Sequence, residues 1–476
     1  MKIFKKWFVL GALLFSSLIG IFKQDAFANI GEAFGFGARV QSLGGVGVAG
    51  NAGSFAAYHN PAELGMPSDR RLSIGWGIIL MEPSFRPINN VVVQNKFNAD
   101  GDAYGDVDTH YKTTLGQQIG LSYKLLPTVG NLTIGAVAFL PLEQLAYMDT
   151  GEAYVPEYIL YRARTQRPQV DIGTGFELSK GFHLGVGLHF GFTVTGSSTV
   201  FINTKANSTI SSMRFTTSMK PKAAPYLGFL FTPPEDPKAY SLGAVFRLPV
   251  SSDSTLKLNS AARVFGDFAA VDFSFSSVST FIYDPLTLEL GGAYQHSSWG
   301  RVYGQVDWQR WSKFEPSALQ IVQPQTTNCK DQTGTNCTGN ATVQIAPGKV
   351  PAFNYKDIFV PRVGEEVALS DQATLRFGYA YRPSMIDGVP NGDGNFLDPP
   401  KHMLNLGLGL SYPEFLGYPI ATRIDFNLAY HYLVLQQITK SIGNEGGDAT
   451  DPKIGYPGYD AGGNMYGGGV SLSLAF

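Results

Sequence analysis

The sequence predicts an all-β protein: a 14-stranded antiparallel transmembrane β-barrel with an N-terminal plug inside it. Three observations carry that prediction. Period-2 segments recur from Arg70 to the C-terminus, their connections alternate short and long, and the composition is unusual for a soluble domain. The 476 residues include 55 Gly, 23 Tyr and 33 Phe, and only 16% are charged, against about 25% in ordinary soluble domains. Low charge, abundant aromatics and abundant Gly suit an aromatic girdle around a crowded lumen. The formal charge of −2 and the absence of a basic run give no nucleic-acid partner.

Fourteen segments alternate with a two-residue period: 70–82, 114–126, 130–141, 166–179, 181–195, 221–232, 238–250, 285–296, 299–311, 358–369, 372–383, 401–413, 420–433 and 465–476. Side chains of a strand point alternately to its two faces, so each segment has one apolar face and one small or polar face. Leu404, Leu406, Leu408 and Leu410 oppose Asn405, Gly407, Gly409 and Ser411. Phe182, Leu184, Val186 and Leu188 likewise oppose His183, Gly185 and Gly187. The last segment carries Val470, Leu472, Leu474 and Phe476 on one face and ends the chain on an aromatic residue. A soluble sandwich turns such a face to its core, whereas a barrel turns it to lipid. The connections discriminate between the two. Short ones fall at 127–129, Lys180, 233–237, 297–298, 370–371 and 414–419, and long ones at 83–113, 142–165, 196–220, 251–284, 312–357, 384–400 and 434–464. Outer-membrane barrels have short periplasmic turns, long outer loops and, with an even strand count, both termini periplasmic. A sandwich has no reason to sort its loops in this way.

The first 69 residues differ from the remainder. Lys2, Lys5 and Lys6 precede an apolar run from Trp7 to Phe22, followed by Ala26-Phe27-Ala28. That is the three-part secretory signal, with residues 1–28 removed and export to the outer membrane expected. A retained anchor would need roughly 20 apolar residues. Residues 29–69 read as a compact plug rich in Gly and Ala, and residues 70–476 as the barrel. Gly45, Gly47 and Gly50 match G-x-G-x-x-G, but Arg70 and Arg71 stand where a dinucleotide site needs an acidic residue. Cys329 and Cys337, in a polar exported segment without a nearby His, read as one local loop disulfide and not as a metal site.

Several stretches carry a family resemblance. Gly37-Ala38-Arg39, Gly44-Gly45 and Asn60-Pro61-Ala62 are similar to the hatch of the FadL/TodX family of outer-membrane channels for long-chain fatty acids and other hydrophobic compounds. Val306-Asp307-Trp308-Gln309-Arg310-Trp311-Ser312-Lys313-Phe314 resembles that family's Asp-x-x-x-Trp-Ser-x-Phe strand. Asn354 to Asp357, Arg362-Val363-Gly364 and Leu375 to Tyr379 look like its late barrel core. The resemblance implies a fourteen-stranded monomer, no cofactor, and passive transport of a hydrophobic small molecule. It implies capture by outer loops, gating by the hatch through Gly44, Gly45, Asn60, Pro61 and Ala62, and lateral exit at a kinked third strand. Gly135 and Pro141 mark that strand here, and Pro141 cannot donate to its ladder. Outer-membrane lipid, lipopolysaccharide and the barrel-assembly machinery are the implied partners. Gly53 departs from the family, which often has Asp before the Asn-Pro-Ala segment.

A fatty acid needs an apolar slot and a cation for its head. Inward positions offer Arg247, Arg376, Arg382 and Arg423 as carboxylate ligands. The same arginines could instead pair with Asp171, Glu177, Glu289, Asp307 or Asp425. Leu142, Leu145, Tyr147, Tyr154, Tyr158 and Leu160 form either a capture surface or loop core. The chain has no H-E-x-x-H and no G-x-S-x-G, and His183 and His189 lie about 20 Å apart along one strand, too far to share a metal. A general porin, a barrel enzyme and an adhesive surface barrel are the alternatives.

Overall fold

The computed structural model describes residues 31, 34–94, 103–126, 131–143, 155–158, 160–161, 167–202, 212–264, 269–314, 326–329, 337–341, 354–392, 394–415, 417–443 and 452–476. The expected signal segment 1–28, Leu145, Tyr147 and Tyr154 lie outside them. Fourteen antiparallel strands form a closed ring: β1 (Leu72–Phe85), β2 (Thr114–Leu126), β3 (Leu132–Pro141), β4 (Gln169–Ser179), β5 (Phe182–Ile202), β6 (Ser212–Phe231) and β7 (Tyr240–Arg247), followed by β8 (Thr287–Gln295), β9 (Gly300–Gln309), β10 (Ile358–Ala368), β11 (Ala373–Arg382), β12 (Lys401–Tyr412), β13 (Ala421–Thr439) and β14 (Gly458–Ala475). Each strand pairs with its neighbours in sequence, and β1 pairs with β14 from Ser73↔Ala475 to Phe85↔Gly463. The terminal Phe476 joins this seam: its N–H donates to Leu72 O at 2.9 Å and its carbonyl accepts from Arg71 N–H at 2.8 Å.

The two-residue period follows from the wall having two faces. Along β5, Phe182, Val186 and Leu188 are exposed, while His183, Gly185, Gly187 and His189 are buried. Outward side chains are apolar all round the ring, including Trp76, Leu121, Ile172, Leu290, Val363, Leu406 and Leu428. Outward aromatics gather toward the strand ends. Tyr123, Phe182, Tyr240, Tyr294 and Tyr412 lie near the short turns, and Phe359, Tyr432 and Tyr466 lie toward the long connections. The tightest turn, Lys180–Gly181 between β4 and β5, has Gly181 at φ +80, a left-handed conformation that costs Gly little.

All fourteen expected segments are barrel strands, but strands also run into the expected long loops, among them 83–113, where Ile88–Gln94 pairs with Ala103–Val107. β5 runs on to Ile202 and β6 begins at Ser212. Residues 250–284 form a strand pair, Val250–Val264 with Ala269–Asp284, and its first strand runs parallel to the far end of β5. β13 continues to Thr439 and β14 starts at Gly458. Past the apolar belt a strand no longer needs one greasy face. Thr, Ser and Val keep their β propensity there while the alternation that marks the barrel disappears. In a separate short hairpin Cys329 stands directly opposite Cys337, a pairing that suits the expected local disulfide.

The N-terminal segment is built from single turns: α1 (Ala38–Ser42), a 3-10 turn Gly53–Phe55, α2 (Ala56–His59) and a 3-10 turn Pro61–Gly65. It bonds to strands on opposite sides of the ring. Gly37 N–H donates to Gln118 Oε1 on β2, Ala38 N–H to Ser471 Oγ on β14 and Gly47 N–H to Gln305 Oε1 on β9. Ser241 Oγ on β7 donates to Ala49 O.

Candidate functional site in the barrel interior

Inward glycines let the N-terminal backbone lie directly on the wall. A Cβ on Gly378 would overlap the Gly44 nitrogen, and one on Gly185 would overlap the backbone of Pro61 and Ala62. Gly44 and Gly45 take φ +72 and +82. The Arg362 guanidinium donates to Gly44 O at 2.9 Å while its Nε holds Asp307 at 2.7 Å. Asn60 is fully buried and has three tasks. Its Oδ1 caps the following turn by accepting from Ala62 N–H, and its Nδ2 donates to Val48 O at 2.9 Å and to Phe229 O on β6 at 3.0 Å. Pro61 opens that turn, where a missing N–H costs nothing. The Gly53 N–H and that of Ala52 donate to the Glu63 carboxylate at 2.7 and 3.0 Å.

The four candidate arginines all meet carboxylates. Arg247 Nε holds Glu289 at 2.7 Å, and its Nη2 donates to the carbonyls of Tyr58 and His59 at the end of α2. Its guanidinium also lies over the rings of Tyr58 and Tyr226. Arg382 pairs with Asp398 at 3.0 Å. Arg376, 0% exposed, contacts Glu366 at 2.7 Å and Asp425 at 2.9 Å. Arg423 holds Asp425 at 2.9 Å. Arg39 of α1 grips both oxygens of Glu366 at 2.8 Å. The last two pairs and Arg376 form one charged belt near the short turns, with Tyr303 donating to Glu366. Of the partners expected from sequence, Glu289 and Asp425 are used by these arginines. Glu366 and Asp398 were not among the expected partners.

Two inward histidines on β5 find partners in the wall or the N-terminal segment. His189 lies between Asp171 at 2.7 Å and Asp284 at 3.0 Å, and Arg167 holds Asp284 at 2.6 Å. His183 contacts Gly65 O and Thr232. Among the described residues no group of His, Cys, Asp and Glu is arranged to hold a metal ion. Burial, with the nearby Arg247 and Arg362 charges, pushes the pKa of His59 down to about 3, so the ring is neutral; its Nε2 lies 3.0 Å from both the nitrogen and the carbonyl oxygen of Phe36.

Toward the long connections the interior becomes apolar. One continuous cluster runs from Phe34, Phe36 and Phe55 in the N-terminal segment, past Ile79, Met81, Val137, Phe139, Met403 and Met465 on the strands, to Phe85, Tyr158 and Tyr161 at the rim. Tyr158 stacks on Phe85 with centroids 4.2 Å apart and donates to Gly462 O at 3.0 Å, where the β13–β14 register shifts. Of the described capture candidates, Tyr158 and Leu160 are buried in this cluster, and Leu142 is 49% exposed. Gly135 faces Leu64 of the N-terminal segment. The β3–β4 ladder is continuous from Thr133 to Phe139, and Pro141 lies beyond it, still opposite Gly116 on β2.

No protein-family model matches the chain. It is 26% identical to Alkane uptake protein A of Marinobacter nauticus over 228 residues, which is 47% of this chain and 45% of that protein. The match therefore spans less than half the length of that relative. A FadL homologue of Pseudomonas aeruginosa superposes with a TM-score of 0.52 at 12% identity, covering 92% of this chain and 98% of that one. The Pseudomonas putida toluene transporter TodX superposes with a TM-score of 0.47 at 14% identity, covering 93% and 99%. In fold the chain is a FadL-type barrel, the architecture of the FadL/TodX family that its sequence motifs resemble.

Proposed function

We propose that this chain is an outer-membrane channel for passive uptake of long-chain fatty acids or other hydrophobic compounds. The observation that carries this reading is the unbroken apolar column joining the outer rim to the N-terminal segment. A hydrophobic solute leaving water for such a lining gains about 25 cal/mol per Å² of apolar surface removed from water. The outward apolar belt supplies the matching surface for lipid, and likeness to a hydrocarbon-uptake protein points the same way.

In this proposal residues 1–28 are removed on export and residues 29–69 act as the hatch. Leu142, Tyr158 and Leu160 belong to the capture region, and the column receives the solute. Movement of the hatch about Gly44, Gly45 and the Asn60-Pro61-Ala62 turn opens the way on. Exit is lateral, beside Pro141, where β3 has left its ladder with β4. A general porin is disfavoured by the bonds that tie the N-terminal segment to opposite walls.

Cells lacking their own channel, supplied with labelled oleate, toluene or hexadecane, test the reading. Uptake of at least one compound should require this protein and change in the Asn60→Ala/Pro61→Ala variant. A folded, surface-exposed barrel that moves none of them would overturn it, and a large open-pore conductance in planar bilayers would favour the porin.

A further inference from the structure

Three neighbouring strands bring two thioethers and an imidazole into line on the inner wall. His431 of β13 stands directly opposite Met403 on β12 and directly opposite Met465 on β14. All three are buried, His431 and Met465 at 2% exposure and Met403 at 3%. Residues opposite one another on adjacent strands have Cβ atoms about 4.5–5.5 Å apart, a gap that the long, unbranched Met side chain can span. A third thioether follows: Met81 on β1, also buried, lies opposite Gly467, the next inward position after Met465. Phe34 of the N-terminal segment stacks on the His431 ring, with centroids 4.8 Å apart and 15° between the planes.

Packing alone does not call for an imidazole here. His431 Nδ1 is buried and has no hydrogen-bond partner among the described residues, whereas the interior histidines His59, His183 and His189 each hold one. An idle ring nitrogen in an apolar lining costs stability that a Leu or Phe at this position would not. The charges that act on the ring, Lys401 and Arg362, are both positive. Such surroundings repel a doubly charged ion, which also prefers oxygen ligands when it is hard. Thioethers beside an imidazole suit a soft ion of single charge.

We propose that Met403, His431 and Met465 form a binding site for a soft monovalent metal ion, Cu(I) or Ag(I). His431 Nδ1 and the two thioether sulfurs are the ligands. Phe34 covers the imidazole and keeps water from it, and Met81 offers a further sulfur beside Met465. The inference goes beyond the transport proposal and does not depend on it, because binding is measured on the isolated protein.

The test is anaerobic titration of the purified full chain, in a neutral maltoside detergent and chloride-free buffer. Ag(I) is added directly, and Cu(I) is supplied in competition with a chromophoric chelator. Met403→Leu/Met465→Leu, which keeps the core volume, should weaken binding of both ions at least about tenfold, the scale on which even residues behind the ligands act. His431→Phe should do the same, and X-ray absorption of the Cu(I)-loaded protein should show sulfur and nitrogen neighbours, with the nitrogen lost in that variant. The cysteines and the remaining methionines are common to all variants, so the difference between them reports this site. Absence of Ag(I) and Cu(I) binding, or an affinity unchanged in the double methionine variant, overturns the proposal. If His431→Phe fails to fold, the double variant and the absorption spectrum of the unaltered chain decide. Whole-cell uptake that survives the variants would leave the transport reading standing while the titration judges this site.

Discussion

The two ends of the barrel interior hold the chain together by different means. At the outer end, side chains such as Phe139, Met403 and Met465 fill space without specific partners. At the inner end, Arg39, Arg376 and Arg423 are locked to Glu366 and Asp425 by short, directional contacts. An apolar lining tolerates changes of shape if volume is kept, whereas a buried ion network punishes the loss of a single member. The adaptable part of the interior therefore lies toward the long connections and the rigid part behind the N-terminal segment.

That contrast can be broken first at the charged belt. Glu366→Ala leaves Arg39 and Arg376 without their shared partner and is expected to destabilise the inner end by about 3–5 kcal/mol, read as a lowered denaturant midpoint of the purified barrel. A comparably buried Met403→Leu at the outer end should cost less than about 1.5 kcal/mol in the same measurement. Asn60→Ala strips two buried carbonyls of their donor and should weaken the seating of the N-terminal segment by about 2–3 kcal/mol. Hydrogen exchange over residues 44–66 reports that change, with the strands unaffected.

A pH series sharpens the same contrast. The folded pKa of His59 lies below its unfolded value of about 6.5. The unfolded state therefore binds more protons as pH falls, and stability of the segment is lost from about pH 6.5 downward toward pH 3. His59→Gln should flatten that part of the exchange profile. A local effect belongs to the rim. Tyr158→Phe keeps the stack on Phe85 and loses both bonds of its hydroxyl with Gly462, to the carbonyl and from the N–H, for about 1–2 kcal/mol, visible as faster exchange at Gly462 alone.

The barrel was legible because its wall has one constraint per residue. Outward Leu404, Leu406 and Leu408 and inward Gly407 and Gly409 declare their face by type. Pairings were not legible, because they depend on register between strands. Glu366 stands opposite Arg376 and Arg247 lies beside Glu289 only for one alignment of each hairpin, and a slip of one residue reverses every face. The seating of the N-terminal segment was hidden for another reason. Its glycines announce close approach but not the surface approached, and Gln118 and Gln305 look like ordinary inward polar residues until Gly37 and Gly47 donate to them.

The seam between β1 and β14 bears on how such a molecule is assembled. The segment that crosses the interior is the first part of the described chain, and it touches both sides of the seam. Gly75 of β1 packs against Ser54 and Phe55, and Ser471 and Ser473 of β14 bond to Ala38 and Ser54. The strand that closes the ring is the last one synthesised. The N-terminal segment therefore braces the closing seam from within, and a ring without it would leave the Ser471 and Ser473 hydroxyls of β14 without these partners.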